Sequence, residues 1–172
     1  LQASGTSIHN MKGTYDGTKW DGAYWPNDEN KNENLAFYAY YPDDAAMTNP
    51  NSYTFRVNAD QRIEANYNKS DLLFSKAVNQ SKGTTVQLTF SHALSLVQVE
   101  FENGGLGARI DDMAKVYLRG IGTTSAFKLS TGTVTAKTGE AIANILMTKV
   151  DGMTNTYRVL VPAQTISAQS SM

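Results

Sequence analysis

The clearest pattern along the chain is a two-residue alternation of apolar and polar positions within short runs. In one such run, Val86, Leu88 and Phe90 fall on one face, and Thr and Gln side chains fall on the other. Successive side chains of an extended strand point to opposite faces of the sheet, so this period is typical of a strand with one solvated face. The run from Thr84 to Phe90 is therefore predicted to be a strand.

Other runs with β-branched or aromatic residues are separated by Gly, Pro and Asp-Gly signals, which favour turns. Further strands are predicted in these runs: Leu35 to Pro42, Tyr53 to Val57, Asp71 to Ala77, Leu94 to Phe101, Ala114 to Ile121, Phe127 to Leu129, Thr133 to Ala136, Ile142 to Met147 and Tyr157 to Pro162. Helix competes only between Gly107 and Met113. Many short strands with frequent turns predict an all-β sandwich or barrel with little helix.

The alternation also predicts which side chains form the core of this fold, because residues that share an apolar face are buried together. The predicted core comprises Phe37, Leu73, Val86, Leu88, Phe90, Val97, Val99, Phe101, Val116, Leu118, Val159 and Val161.

The net charge and the amino-acid composition exclude several functional classes. The 172 residues carry a formal net charge of −1, which gives no electrostatic reason to bind nucleic acid. Charged residues make up 18% of the chain, below the roughly 25% of an average globular domain, as suits an exported protein. The absence of cysteine excludes disulfides and thiolate chemistry.

Residues suited to catalysis or metal binding are few. The chain has two histidines, His9 and His92, and Ser91 cannot pair with His92 by adjacency, because neighbouring strand residues face opposite ways. The stretch Asp28 to Glu33 opens like a calcium loop, but its sixth residue is Glu where the turn needs Gly. The glycines from Gly104 to Gly107 lack the Lys-Ser/Thr of a phosphate loop. We expect no catalytic residues, no metal site and no cofactor, and hence no enzyme.

One binding hypothesis rests on aromatic residues near the start of the chain. Trp20, Tyr24 and Trp25 lie in a region rich in Gly, Asn and Asp. Aromatic rings there can stack on sugar rings, as in a carbohydrate-binding module, although aromatic residues more often supply core and cross-strand pairs.

The order and spacing of several segments resemble the fimbrillin-like proteins of Bacteroidales, the subunits of type V pili. The resemblance rests on Tyr24-Trp25-Pro26, Leu35 to Pro42, Gln61, Asp71 to Ser75, Val86 to Val97 and Val159 to Thr165. It implies a transthyretin-like, Greek-key β-sandwich over residues 1–172, the N-terminal domain of a longer pilin-like protein, with flexible ends at 1–18 and 165–172.

The same resemblance implies a structural subunit of cell-surface fimbriae, or a pilus-associated adhesin, that joins other fimbrial subunits by β-strand addition. Host or bacterial receptors or glycans are further expected partners. The implied location is the fimbrium and outer membrane, with the membrane reached only through an upstream lipid anchor. The polar ends, Leu1 to Thr18 and Thr165 to Met172, are the expected donor or displaced strands. The alternative function is a glycan-binding module of an outer-membrane lipoprotein.

Overall fold

The fold was analysed in a computed structural model, which describes residues 2–3, 11–21, 34–49, 51–102, 115–140 and 142–165. Short β-strands dominate it, and every strand pair with a defined register is antiparallel. The strands are β1 (Gln2–Ala3), β2 (Thr14–Tyr15), β3 (Trp20–Asp21), β4 (Leu35–Tyr41), β5 (Tyr53–Arg56), β6 (Leu73–Gln80), β7 (Ser91–His92), β8 (Ser95–Glu100), β9 (Tyr117–Gly122), β10 (Thr124–Lys128), β11 (Thr133–Ala136), β12 (Ile142–Leu146), β13 (Thr148–Lys149) and β14 (Thr156–Val161). One helix, α1 (Glu64–Lys69), accompanies them. The predicted all-β class is confirmed.

The chain forms two compact units. The first contains Leu1–Tyr53, Leu72–Ala93 and Phe127–Thr133, and the second contains Thr54–Asp71, Leu94–Ala126 and Val134–Met172. Strands β5, β10 and β11 form a sheet of order β11-β10-β5.

The first unit is built on a four-stranded sheet of order β1-β4-β6-β7. Its central pair, β4 and β6, is in register from Phe37 opposite Ala77 to Tyr41 opposite Leu73. Along β4, buried and half-buried side chains alternate, as the sequence pattern predicts. The apolar residues buried in this unit are Leu35, Phe37, Ala39, Met47, Leu72, Ala77, Phe127 and Leu129.

The second unit contains two sheets, with the orders β12-β9 and β13-β14-β8. Strand β14 pairs with β8 over its whole length, from Thr156 opposite Glu100 to Val161 opposite Ser95. Tyr157, Val159, Leu160 and Val161 are all buried, so β14 is covered on both faces. This explains why β14 reads as a nearly continuous apolar run rather than as an alternation.

Helix α1 was not predicted from the sequence. Its six residues contain no buried side chain and therefore carry no apolar period from which a helix is recognised. Ser70 closes it: the Ser70 N–H donates to the carbonyls of Asn66 and Tyr67, and its hydroxyl also donates to Asn66. Local hydrogen bonds, which have no hydrophobic signature, define this helix.

The predicted strand from Thr84 to Phe90 is wrong, because no residue of that run lies in a strand. Val86 and Leu88 nevertheless pack against the buried pair Leu35 and Phe37. The alternation therefore indicates the packing side correctly for Val86 and Leu88, whereas the backbone pairs with β6 only at Ser91 and His92.

The predicted core is correct for Phe37, Val159 and Val161, which are buried. It is wrong for Phe90 and Phe101, which are 36% and 38% exposed. The remaining predicted core residues, Leu73, Val86, Leu88, Val97, Val99, Val116 and Leu118, are half-buried. Phe101 makes an edge-to-face contact with Tyr157, with ring centroids 5.9 Å apart, and its outer side stays open because it lies just past the end of β8.

Gly132 is a position where both backbone and packing require glycine. Its φ is +68°, and a Cβ built there would lie 2.4 Å from Cε1 of Phe74. We expect Gly132→Ala to lower the free energy of unfolding by about 2 to 4 kcal/mol, from backbone strain and overpacking together. A denaturant titration measures the loss.

Gly139 provides the matched control for that substitution. Its φ is +78°, but a Cβ there meets nothing within 4 Å. Gly139→Ala should therefore cost only the backbone strain, about 1 kcal/mol. Equal losses for the two variants would show that the Phe74 contact does not constrain position 132.

Candidate functional site

Strand β4 carries an unusual arrangement at its outer edge. β4 has seven residues, and β6 pairs with one of its edges along most of that length. On the other edge, β1 contributes two residues, with Gln2 opposite Tyr38 and Ala3 opposite Phe37. Among the described residues, the N-terminal strand thus pairs with this edge of β4 at Tyr38 and Phe37.

The N-terminal part of the chain makes two more contacts in this unit. The half-buried Met11 packs against the buried pair Leu35 and Phe37. Lys12 Nζ lies 3.1 Å from a carboxylate oxygen of Asp43, but both side chains are more than half exposed. Exposed ion pairs contribute about 0 to 1 kcal/mol, so this one adds little to holding the segment in place.

A tyrosine–carboxylate pair lies close to the end of β4. The Tyr53 hydroxyl donates a hydrogen bond to Oδ2 of Asp44, and the Ala46 N–H donates to Oδ1 of the same residue at 2.8 Å. The Tyr53 hydrogen bond is the main cause that lowers the pKa of Asp44 below its ordinary value. Burial and the neighbouring Asp44 raise the pKa of Tyr53, which therefore stays protonated as the donor. This pair stabilises the turn that follows β4.

Another edge, that of β14, is closed by a glutamine side chain. Gln61 is fully buried, its Nε2 donates to the carbonyl of Leu160 at 2.8 Å, and its Oε1 accepts from the Leu160 N–H at 2.9 Å. Strand β13 pairs with β14 only at Tyr157 and Arg158, so Leu160 lies beyond its end. The amide of Gln61 therefore takes the place of a pairing strand.

A second glutamine does the same for β9. Gln164 Oε1 accepts from the Gly122 N–H at 2.9 Å, and its Nε2 donates to the Gly122 carbonyl, also at 2.9 Å. Gly122 pairs with Ile142 of β12 on its other side. A Cβ at position 122 would lie 3.2 Å from Oε1 of Gln164, so glycine permits the close approach. Both glutamines satisfy main-chain groups that would otherwise invite another strand.

Sequence reasoning did not assign these roles to Gln61 and Gln164. Both stand in segments that carry the family resemblance, but nothing in the local pattern distinguishes a glutamine that bonds to a distant strand from an exposed one. The hydrogen bond between Gln61 and Leu160 joins residues 99 positions apart in the chain.

The aromatic residues proposed for sugar stacking stay a prediction. The backbone of Trp20 lies in β3, where it pairs with Tyr15, and its side chain is not among the described groups. Tyr24 and Trp25 lie outside the described residues, as do His9, the calcium-loop stretch at 28–33 and the possible helix at 107–113. His92 is exposed in β7.

The described residues form neither a candidate metal centre nor a membrane-spanning helix. No group of three or more His, Asp or Glu side chains there could hold a metal ion. No helix in those ranges has the length and apolar character needed to cross a membrane.

Comparison with known proteins identifies the family. The model of the fimbrillin-like family matches residues 2–172, which is nearly the whole chain. The chain belongs to the fimbrillin-like family. This agrees with the resemblance seen in the order and spacing of the sequence segments.

Two solved structures share the fold of this fimbrillin-like chain. A proposed cell adhesion protein of Bacteroides uniformis matches with a TM-score of 0.63 and 23% identity, over 83% of this chain and 56% of its own. A proposed cell adhesion protein of Bacteroides ovatus matches with a TM-score of 0.64 and 21% identity, over 83% and 55%. The fimbrillin-like chain thus spans little more than half the length of either. No curated protein matches it significantly.

Proposed function

We propose that the chain is a structural subunit of cell-surface fimbriae, or an adhesin associated with them, which joins its neighbours by strand exchange at β4. Membership of the fimbrillin-like family supports the fimbrial and adhesive role. The observation that carries the exchange is that one edge of β4 pairs with β1, a strand from the N-terminal end of the chain, opposite Tyr38 and Phe37. In this proposal, a strand from a neighbouring subunit replaces β1.

The physical basis is a difference in the number of main-chain hydrogen bonds. Each contributes about 0.5 to 1.5 kcal/mol net, so a donor strand that forms more of them along β4 than β1 does is favoured. The apolar cluster of Leu35 and Phe37 with Met11, Val86 and Leu88 lies beside the same strand. Side chains of a longer donor can extend this cluster.

The glutamine caps support β4 as the acceptor. Gln61 occupies the free main-chain groups of Leu160, and Gln164 occupies those of Gly122. A capped position does not readily accept a new strand, because the incoming backbone would have to displace two hydrogen bonds.

The proposed location is the cell surface, which the family implies. Attachment to the outer membrane through a lipid anchor upstream of the chain completes this part of the proposal. The role is structural rather than catalytic, and its partners are other fimbrial subunits and, for an adhesin, surface receptors.

A disulfide lock tests the exchange directly, since the chain has no cysteine of its own. Gln2 and Tyr38 are directly opposed, and opposed residues of antiparallel strands have Cα atoms about 4.5 to 5.5 Å apart, within the span of a disulfide. We expect the oxidised double variant Gln2→Cys/Tyr38→Cys of the full-length protein to stay monomeric. Light scattering under assembly conditions should show growth only after reduction.

The two single-cysteine variants are the controls and should assemble with and without reductant. Mass spectrometry of the oxidised double variant establishes that the bond is intramolecular. Assembly of the locked protein at the rate of the reduced protein would show that β1 need not leave β4, and the proposal would fail.

A further inference from the structure

Arg158 lies in the middle of a polar row across the β13-β14-β8 sheet. It is directly opposite Thr148 of β13 on one side and Gln98 of β8 on the other. Directly opposed residues of antiparallel strands place their side chains on the same face, with Cβ atoms about 4.5 to 5.5 Å apart. The two side chains directly opposite Arg158 are therefore neutral, and the acidic Glu100 lies diagonally across from it on β8.

Tyr67 of α1 holds this arginine in place. The guanidinium carbon lies 4.9 Å from the centroid of the Tyr67 ring, within the range of a cation–π contact. Burial raises the pKa of the Tyr67 hydroxyl, which keeps the ring neutral at physiological pH. The stacking restricts the side chain before any partner arrives, which lowers the entropy that binding must remove.

The charge of Arg158 is not balanced within the described part of the chain. No carboxylate there lies within ion-pair distance of it, and its Nε is buried without an acceptor. Leaving a buried donor unpaired is unfavourable, and native proteins rarely do so without a reason. The side chain as a whole is half-buried, so part of it is exposed to a partner.

On this face the β8 positions are exposed, whereas Thr156 and Leu160, which flank Arg158 on β14, are buried. Leu96 of β8 lies two residues from Gln98, hence on the same face as Arg158, and is 54% exposed. Gln98 is exposed as well. An arginine stacked on a tyrosine next to an exposed leucine has the composition of a protein–protein contact centre, in which Arg and Tyr are enriched.

We propose that this face docks a neighbouring subunit through a carboxylate side chain that pairs with Arg158, while an apolar side chain of the same subunit covers Leu96. The partner is a neighbouring subunit, so the inference rests on the proposed function. Leu96 and Gln98 are about 7 Å apart along β8, the spacing of positions i and i+2 of an extended segment. A segment with an acidic residue and an apolar residue at that spacing fits the face.

A carboxylate introduced next to Arg158 in the same chain tests the contact without removing Arg158. Gln98→Glu places a carboxylate directly opposite Arg158 and so neutralises it from within the same sheet. In the full-length protein, we expect this variant to raise the concentration needed for assembly at least about tenfold, with an unchanged or higher melting temperature. The charge control Asn144→Asp, which adds a carboxylate at an exposed position of β12, should assemble like the wild type.

Variants at Arg158 itself provide a second test of the contact. Arg158→Gln should weaken assembly at least about tenfold, and Arg158→Lys should lose less, because it keeps the charge but not the planar donor pair. Arg119→Gln on β9 is the exposed-arginine control and should have no effect.

The inference fails if Gln98→Glu assembles like the wild type, whether or not Arg158→Gln lowers the melting temperature. That result, with the cysteine-locked variant still blocked, leaves strand exchange intact. Unhindered assembly of the locked variant would instead refute the exchange itself.

Discussion

Replacing Phe127 by alanine is expected to lower the free energy of unfolding by about 3 to 5 kcal/mol, the range for a buried aromatic ring truncated in a packed core. Phe127 is 1% exposed, and its ring meets the edge of Phe74 with the centroids 6.3 Å apart and the planes at 75°. The substitution removes both the buried area and this edge-to-face contact. A urea titration followed by tryptophan fluorescence measures the loss.

Phe90→Ala is the matched control in the same unit. Sequence alternation places Phe90 in the core, but it is 36% exposed. The structure therefore predicts a loss of about 1 to 2 kcal/mol for this variant. Equal losses for the two variants would favour the sequence-based core over the observed one.

Replacing Gln61 by leucine should cost about 2 to 5 kcal/mol although it buries a more apolar side chain. The amide is fully buried and bonds to both the N–H and the carbonyl of Leu160. Leucine leaves both main-chain groups without partners, and each costs about 1 to 3 kcal/mol when buried. Gln98→Met, on an exposed position of β8, should change stability by no more than about 0.5 kcal/mol.

The variant Gln61→Glu separates hydrogen bonding from volume. A protonated carboxyl can donate and accept as the amide does, whereas a carboxylate cannot donate to the Leu160 carbonyl. Burial raises the pKa of the new carboxyl, so its stability is retained below the unfolded pKa of about 4.3 and lost as the pH rises through the folded pKa. The gap to the wild type should widen from pH 4 to pH 7. A gap that does not change with pH would contradict the proposed role of Gln61.

Many of the strands can be predicted from the sequence, because burial of one face of a strand requires an apolar residue at every second position. Strand β11 has the predicted bounds, and β4, β8 and β14 differ from prediction by one residue at one or both ends. In each of these segments, β-branched or aromatic residues stand between Gly, Pro or polar turn signals. The same reasoning places the side chains of Val86 and Leu88 against the core. It does not show whether their backbone pairs with a neighbouring strand.

The candidate site was much less predictable, for two physical reasons. A two-residue strand such as β1 has no period to detect, and its pairing with Tyr38 and Phe37 joins distant parts of the chain. The caps formed by Gln61 and Gln164 depend on distances that only the folded chain defines. Sequence reasoning did propose that the polar N-terminal segment is a displaced or donor strand, and the position of β1 on the edge of β4 supports that proposal.

The strand edges differ in how their main-chain groups are covered. An unpaired edge risks uncontrolled association, so proteins cover the edges that they do not use. Here two glutamine amides cover main-chain groups of β14 and β9, while one edge of β4 pairs with β1 of its own chain at Tyr38 and Phe37. A strand can be exchanged for another strand, whereas a buried amide stays in place in the folded chain. This difference is what a subunit needs if it is to join neighbours at one chosen edge.

The most direct test of strand exchange is a high-resolution electron cryomicroscopy structure of the assembled, full-length protein. The account predicts a strand from a neighbouring subunit alongside Leu35–Tyr41, hydrogen-bonded over more residues than the two that β1 pairs, with Gln2 and Ala3 displaced from Tyr38 and Phe37. An assembled filament in which β1 of the same chain still pairs with β4 would contradict it.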